Sequence, residues 1–181
     1  ETGAHTLWGE PGYTSEERRG TRPTLDINGM WSGFQGEGSK TVTPARATMK
    51  ITCRLVPGQE PDRIAHLIAD YATTLVPAGV KVEPTFYARN GKGYAIPRDN
   101  PFLIRLGEVL EDAYDKPARV LRVGGSVPIT AMFKDELGLE TISLGFLMPN
   151  ANLHAPNEWL RLSDFAKARM VYVQYLSSWM R

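Results

Sequence analysis

The chain has 181 residues, 42% of them hydrophobic, and its 21 basic and 20 acidic side chains leave a formal net charge of +1. This length and apolar content allow one domain or two small ones with a real core, while the evenly spread charge forms no basic stripe and excludes nucleic acid as an expected partner. With a single cysteine, no signal-peptide pattern and no apolar run of about 18 residues, the sequence predicts a cytoplasmic protein that does not enter a membrane.

Residues 1–22 are predicted to be a linker and the entry into the first domain. The chain begins at Glu1 without an initiator methionine, and a polar stretch that contains Gly and Pro residues follows at 9–20. We therefore expect the sequence to be a piece from within a longer polypeptide.

Residues 23–89 are predicted to form part of a first domain that contains an antiparallel sheet. Apolar and polar residues alternate at 24–28 and, over a longer stretch, at 41–56. Such alternation is typical of half-buried strands. Because a Gly-rich segment at 33–39 connects them, we expect the two strands to be antiparallel neighbours.

A helix and a third strand complete this β-β-α-β unit. Pro61 near an acidic first turn, followed by apolar residues at the 3.6-residue period, predicts a helix that ends at Pro77 and Gly79. Residues 80–87 are predicted to be a strand at the edge of the sheet, because Pro84 interrupts them. The sheet should carry the helix on one face.

Residues 94–181 are predicted to form a second domain in which elements alternate as α-β-α-β-α. Asn100 and Pro101 open the first helix, and strand-like apolar runs follow at 118–123 and 141–147. This alternation predicts parallel strands with helical crossovers. The chain is thus assigned to the α/β class, as an α+β domain with an antiparallel sheet followed by a partial parallel αβα unit. Two parallel strands alone expose faces and edges, so this unit should be incomplete.

Two loops follow the predicted parallel strands and should lie at the same end of their sheet, where α/β proteins hold ligands. One is the turn Gly124-Gly125-Ser126, whose amides at a helix start would favour a carboxylate or an oxyanion. The other surrounds His154, a solitary histidine in the polar run 150–158. Each has an ordinary alternative, a plain capped turn for the first and a hydrogen-bonded structural histidine for the second. One histidine also cannot hold a catalytic metal, which needs about three protein ligands.

The long strand ends in Arg54, and Lys50 precedes it on the same polar face. A row of this kind is usually a solvated sheet face. Alternatively, Arg54 supplies a bidentate clamp for a carboxylate, and Thr41 at the start of the strand adds a hydroxyl. Cys53 alternates onto the apolar face and is interpreted as a small buried side chain without a nucleophilic role.

Four segments occur in order along the chain: Gly-Glu-Gly-Ser-Lys-Thr-Val-Thr-Pro at 36–44, Cys-Arg-Leu-Val-Pro-Gly-Gln at 53–59, Gly-Gly-Ser-Val-Pro at 124–128 and His-Ala-Pro-Asn-Glu at 154–158. Together they resemble the zinc dipeptidase, carnosinase and aminoacylase family of metallopeptidases. The resemblance implies a two-zinc catalytic domain interrupted by a lid domain that also forms the homodimer. This chain would be the second part of the lid, 23–89, followed by the C-terminal part of the catalytic domain, 94–181.

The resemblance also implies roles for five residues. His154 would be a ligand to one of the paired zinc ions. Arg54 and Thr41 would hold the substrate carboxylate and the transition state, and Gly125 with Ser126 would form the substrate-binding turn. The other metal ligands, the general-base glutamate and a lid histidine contributed across the dimer would lie upstream of this sequence. No catalytic residue is therefore expected here, and the chain alone should bind zinc weakly and hydrolyse nothing.

The sequence thus predicts the C-terminal portion of a zinc-dependent dipeptidase or related amide hydrolase. The expected substrate is a dipeptide or an N-acyl amino acid, and the expected partner is a second copy bound through the lid sheet. The alternative is a non-catalytic module of the lid type that dimerises or binds without hydrolysis. Missing neighbours would leave apolar edges that favour association with another chain.

Overall fold

The computed structural model describes residues 5–87, 91–124 and 127–180. It divides into two compact units, the first made of residues up to Ala95 with Arg122–Leu137, and the second of Ile96–Leu121 with the residues from Gly138 onward. In chain order the elements are α1 (Ser15–Thr21), β1 (Thr24–Ser32), β2 (Ala47–Arg54), α2 (Pro61–Leu75), α3 (Pro101–Tyr114), α4 (Pro128–Leu137) and α5 (Leu162–Ser177). Within the described ranges, none of the helices is long and apolar enough to cross a membrane.

Strands β1 and β2 form an antiparallel ribbon, which confirms the predicted pairing. Ile27 lies opposite Ile51, and Met30 lies opposite Met49, so β1 carries one extra residue at Asn28. This bulge keeps Ile27 and Met30 on the same face, although three positions separate them in the sequence. The ribbon therefore has one apolar face along its whole length.

The apolar face of this ribbon is open. Four of its large side chains are about half exposed or more, namely Leu25, Ile27, Met30 and Met49, while Ile51 is partly buried. Neither described strand contains a buried residue. A two-stranded ribbon alone is marginally stable in water, so burial of this face would stabilise the first unit.

Helix α1 lies in the stretch predicted to be a linker. The Thr14 hydroxyl accepts a hydrogen bond from the N–H of Glu17 at 3.2 Å, and the Glu17 carboxylate accepts one from the N–H of Thr14 at 2.8 Å. This reciprocal pair is a capping box, which satisfies two amides at the helix start. The sequence Thr14-Ser-Glu-Glu17 contains this capping-box pattern, so the helix start could have been predicted from it.

Helices α2 and α3 begin where their sequences predict, and α2 also ends before the predicted Pro77 and Gly79. Helix α2 starts at Pro61 and ends before Pro77, and its partly buried side chains recur at helical spacing. The side chain of Asn100 caps α3, since it accepts a hydrogen bond from the N–H of Phe102 at 3.0 Å. The starts of these two helices are thus indicated by local sequence signals.

The second unit contains the more closely packed interior. Leu106 and Val109 of α3 and Val171 of α5 form its buried core. The hydroxyl of Tyr175 donates to the carbonyl of Phe102 at 3.2 Å, which ties the same two helices together. This antiparallel helix pair is the scaffold of the unit.

Three segments predicted to be strands, 80–87, 118–123 and 141–147, lie outside regular secondary structure. In the last of them, alternate side chains from Ile142 to Phe146 pack against the core, as the sequence alternation predicts. The described residues nevertheless contain one two-stranded sheet, made of β1 and β2. Because a strand is stabilised by hydrogen bonds to a neighbour, the parallel sheet expected for 94–181 is not formed by these segments.

Candidate functional site

The loop that carries His154 is closed at its base by Trp159. The main-chain N–H of Trp159 donates to the carbonyl of Ala151 at 3.1 Å, and its indole Nε1–H donates to the carbonyl of Asn150 at 3.0 Å. Ala151 is buried, with 1% of its surface exposed, and its N–H donates to the carbonyl of Met148 at 3.0 Å. Hydrogen bonds beside a buried residue therefore fix both ends of the loop.

Three residues of this loop have a left-handed backbone conformation. Asn152, His154 and Asn157 have φ angles of 55°, 61° and 60°. Asparagine and histidine occur in this region more often than most other residues, although a Cβ still raises the free energy there by about 1 kcal/mol. The N–H of Ala155 donates to the carbonyl of Asn152 at 2.9 Å, which holds the turn. Strained backbone that is fixed by its surroundings is typical of ligand-binding sites.

The imidazole of His154 is exposed in this loop. Imidazole nitrogens are common zinc ligands, so this residue fits one position of a metal site. In the parts of the chain that the structure describes, no group of three or more His, Cys, Asp and Glu side chains could hold a metal ion. A metal centre at His154 would therefore need ligands beyond those that the described residues bring together.

Arg54 ends β2, opposite Thr24 on the first strand, and its side chain is exposed. Lys50 lies on the same face of the ribbon, where its Nζ is 5.5 Å from the ring centre of Trp31. This cation–π contact engages the lysine within the ribbon. Arg54, unlike Lys50, stands at the end of the strand. Its planar guanidinium suits bidentate binding of a carboxylate.

The chain beyond Arg54 is held by the segment around Lys92. The Nζ of Lys92 lies 3.3 Å from a carboxylate oxygen of Glu60 and 3.5 Å from one of Asp135. The hydrogen bond to Glu60, followed by the charge of Asp135, raises the pKa of Lys92. A Cβ at Gly93 would lie 2.6 Å from the carbonyl carbon of Val56, so only glycine fits there. The sequence marks this stretch as a turn but does not reveal these contacts.

Gly125 and Ser126 of the predicted substrate turn lie outside the described residues. The residue before them, Gly124, packs so closely on α1 that a Cβ there would stand 1.9 Å from the carbonyl oxygen of Arg19. A Cβ at Gly20 would meet the backbone of the same segment at 2.5 Å. Backbone approach of this kind requires glycine, so α1 positions the chain that leads into the turn.

Thr41 lies in the irregular, exposed segment that precedes β2. It belongs with Arg54 to the first unit, whereas His154 belongs to the second. Cys53 is partly buried, and burial, with a smaller contribution from Asp26, raises the pKa of its thiol. A thiol of this kind stays protonated at neutral pH, which agrees with the structural role predicted for it.

Residues 5–80 match the family model of the peptidase dimerisation domain. The Cys-Gly metallodipeptidase of Schizosaccharomyces pombe is 26% identical over 162 residues, which cover 88% of this chain and 34% of that protein. The Cys-Gly metallodipeptidase of Candida albicans is 28% identical over 148 residues, covering 79% of this chain and 30% of that protein. This chain therefore spans about a third of the length of the curated relatives it matches.

Similar solved structures also come from metallopeptidases and dipeptidases. A metallo-carboxypeptidase from Sulfolobus solfataricus has a TM-score of 0.75 and 26% identity, covering 93% of this chain and 39% of that chain. A di-peptidase from Saccharomyces cerevisiae has a TM-score of 0.68 and 26% identity, covering 90% of this chain and 35% of that chain. Human carnosine dipeptidase 1, with a TM-score of 0.61 and 19% identity over 88% of this chain and 34% of that chain, shows the fold alone. These likenesses confirm the α/β class predicted from the sequence.

Proposed function

We propose that this chain belongs to the metallopeptidase family of these dipeptidases and carboxypeptidases and forms part of a zinc-dependent dipeptidase or a related amide hydrolase. The observation that carries the proposal is the loop of His154, in which hydrogen bonds hold an exposed imidazole on a left-handed backbone. This conformation lowers stability, and a functional use of the imidazole explains why it is kept.

His154 would bind the metal through one imidazole nitrogen. Bound zinc supplies Lewis-acid chemistry at the scissile carbonyl. Since the match covers about a third of the relatives, we infer that the other ligands and the general base belong to the part of the polypeptide that corresponds to the unmatched length. The 181-residue chain alone would then be inactive.

The first unit would supply the groups that bind the substrate. Arg54 would hold the carboxylate of a dipeptide or an N-acyl amino acid through two parallel hydrogen bonds. The hydroxyl of Thr41 would add a donor to the transition state, and the turn at Gly125 and Ser126 would contact the substrate through its amides. The relatives named Cys-Gly metallodipeptidases support a dipeptide as the first substrate to test.

A second copy of the chain is the proposed cover for the ribbon. The apolar face of β1 and β2 is open, and the match to the peptidase dimerisation domain includes both strands. Pairing two copies would bury this face and stabilise a ribbon that is marginal alone. The same observation favours the second candidate function, a module that dimerises without catalysis.

Zinc content and hydrolysis separate these two functions. The full-length natural polypeptide that contains this chain is purified, its mass in solution is measured, and it is assayed with Cys-Gly and with an N-acetyl amino acid. A dimer that contains zinc and hydrolyses either substrate supports the enzyme, whereas a dimer without zinc or hydrolysis supports the non-catalytic module. The cytoplasmic location expected from the sequence stays a prediction, which cell fractionation tests.

A further inference from the structure

We propose that Trp159 is a positioning residue that holds the loop of His154 in the conformation that binds the metal. The proposal rests on the role given above to His154, because Trp159 can affect metal binding through the loop only if His154 is a ligand. Trp159 would act on the metal site through the loop, without direct contact between its indole and metal or substrate.

The argument begins with the two hydrogen bonds that Trp159 donates. One residue closes the loop on consecutive carbonyls, with its N–H on Ala151 at 3.1 Å and its Nε1–H on Asn150 at 3.0 Å. The other link across the loop, from Nδ2 of Asn152 to the carbonyl of Asn157, is 3.4 Å long and therefore weaker. Trp159 thus makes the shorter contacts that join the two ends of the loop.

The backbone between these ends needs such restraint. Left-handed conformations at Asn152, His154 and Asn157 are sparsely populated, and they persist when surrounding contacts determine them. If the ends of the loop separate, the backbone of His154 can relax, and its imidazole then moves away from the direction that a metal requires. Groups that orient a metal-ligating histidine commonly change metal affinity about 10–100-fold when they are removed.

A packing role for the ring makes a different prediction. The Trp159 side chain is half-buried, with 37% of its surface exposed, so a phenyl ring would keep much of its apolar contact. Phenylalanine lacks the indole N–H, which is the only side-chain donor of tryptophan. Trp159→Phe therefore separates the hydrogen bond from the packing. Trp8→Phe is the matched control, since Trp8 is 97% exposed.

The test uses the full-length natural polypeptide and two measurements. Hydrogen exchange of the amides of residues 151–155, 157 and 158 reports loop opening. Titration with Co²⁺, whose visible absorption depends on ligand geometry, reports the metal site. For Trp159→Phe we expect about fivefold to tenfold faster exchange in the loop, because one neutral hydrogen bond changes an opening equilibrium by about that factor. We also expect Co²⁺ affinity to fall about tenfold at one site, with an altered spectrum. Trp8→Phe should change neither measurement.

Two results would overturn the proposal. If Trp159→Phe behaves as Trp8→Phe, the indole N–H does not hold the loop. If exchange becomes faster while Co²⁺ affinity and spectrum are unchanged, Trp159 has a structural role only. His154→Ala, measured alongside, separates this failure from that of the proposed function, since unchanged Co²⁺ binding in that variant would remove His154 from the metal site.

Discussion

The loop of His154 and the ribbon that carries Arg54 are stabilised in different ways. The loop is closed by hydrogen bonds beside the buried Ala151, in the unit whose core contains Val171. The ribbon of β1 and β2 has an open apolar face and no buried residue. The proposed metal ligand is therefore fixed by its own chain, whereas the proposed carboxylate clamp is carried by an element whose apolar face is open.

This difference separates the two halves of the proposed chemistry. Substitutions in the loop should act on the metal whatever the state of assembly. Substitutions in the ribbon should act on substrate binding, and dilution that dissociates a dimer should weaken the ribbon first, because a two-stranded sheet is marginal alone.

His154→Ala in the full-length polypeptide should have the largest effect, since it removes the proposed metal ligand. We expect kcat/KM for dipeptide hydrolysis to fall about a hundredfold or more, because removing even an outer partner of a ligand costs about 10–100-fold. Steady-state kinetics measure this. His5→Ala, at an exposed position in the first unit, is the control and should be neutral. Full activity in His154→Ala would contradict the metal role.

Arg54→Ala should raise KM for carboxylate-bearing substrates about 10–100-fold, since a hydrogen bond to a charged group contributes about 1.5–3 kcal/mol. Arg54→Lys should recover only part of the loss, because an ammonium cannot bind both carboxylate oxygens in parallel. The control is Arg46→Ala, exposed just before β2. Kinetics with dipeptides and with their C-terminal amides test the clamp, which is refuted if both substrate classes are affected equally.

Gly124→Ala should destabilise the first unit, because its Cβ would stand 1.9 Å from the backbone of Arg19. Forcing an atom into packed structure lowers the free energy of unfolding by about 1–3 kcal/mol. Gly145→Ala is the control, because no heavy atom lies within 4 Å of the added Cβ. It should change the free energy of unfolding by less than about 0.5 kcal/mol. Urea unfolding compares the pair, and equal midpoints would show that α1 does not contact this segment as described.

We expect the smallest effect in the difference in stability between two substitutions at His154. His154→Gly should be about 1 kcal/mol more stable than His154→Ala, because glycine adopts the left-handed conformation without the penalty of a Cβ. Both variants lack the imidazole, so the difference reports the backbone alone. Thermal unfolding measures it, and equal stability would argue against a strained loop.

Sequence patterns predicted the helices and the main strand pair, because these depend on local signals. Asn100 and Pro101 mark the start of α3, and alternation marks β2. The bulge at Asn28 could not be placed in the same way, since it depends on which residues of the two strands lie opposite each other. The alternation in segment 141–147 predicts a strand, but the segment lies outside regular secondary structure. A strand also needs a hydrogen-bonded neighbour, and the local pattern does not supply that information.

The candidate site residues were chosen from local features of the sequence, and their roles stay predictions. His154 was selected because it follows an apolar run and stands in a polar loop, and Arg54 because it ends a polar face. Nothing local in the sequence indicates that Trp159 returns to Asn150 or that Gly93 lies against Val56, since both depend on contacts between separate segments. Among the described residues, these supporting contacts are what the structure adds.

Metal content tests the central claim most directly. Elemental analysis of the full-length natural polypeptide, dialysed against a trace of zinc, compares the wild type with His154→Ala and His5→Ala. We expect about two zinc ions per chain in the wild type and in His5→Ala, and about one in His154→Ala, as for a paired-metal site that has lost one ligand. Equal zinc content in all three proteins would contradict the assignment of His154 as a metal ligand.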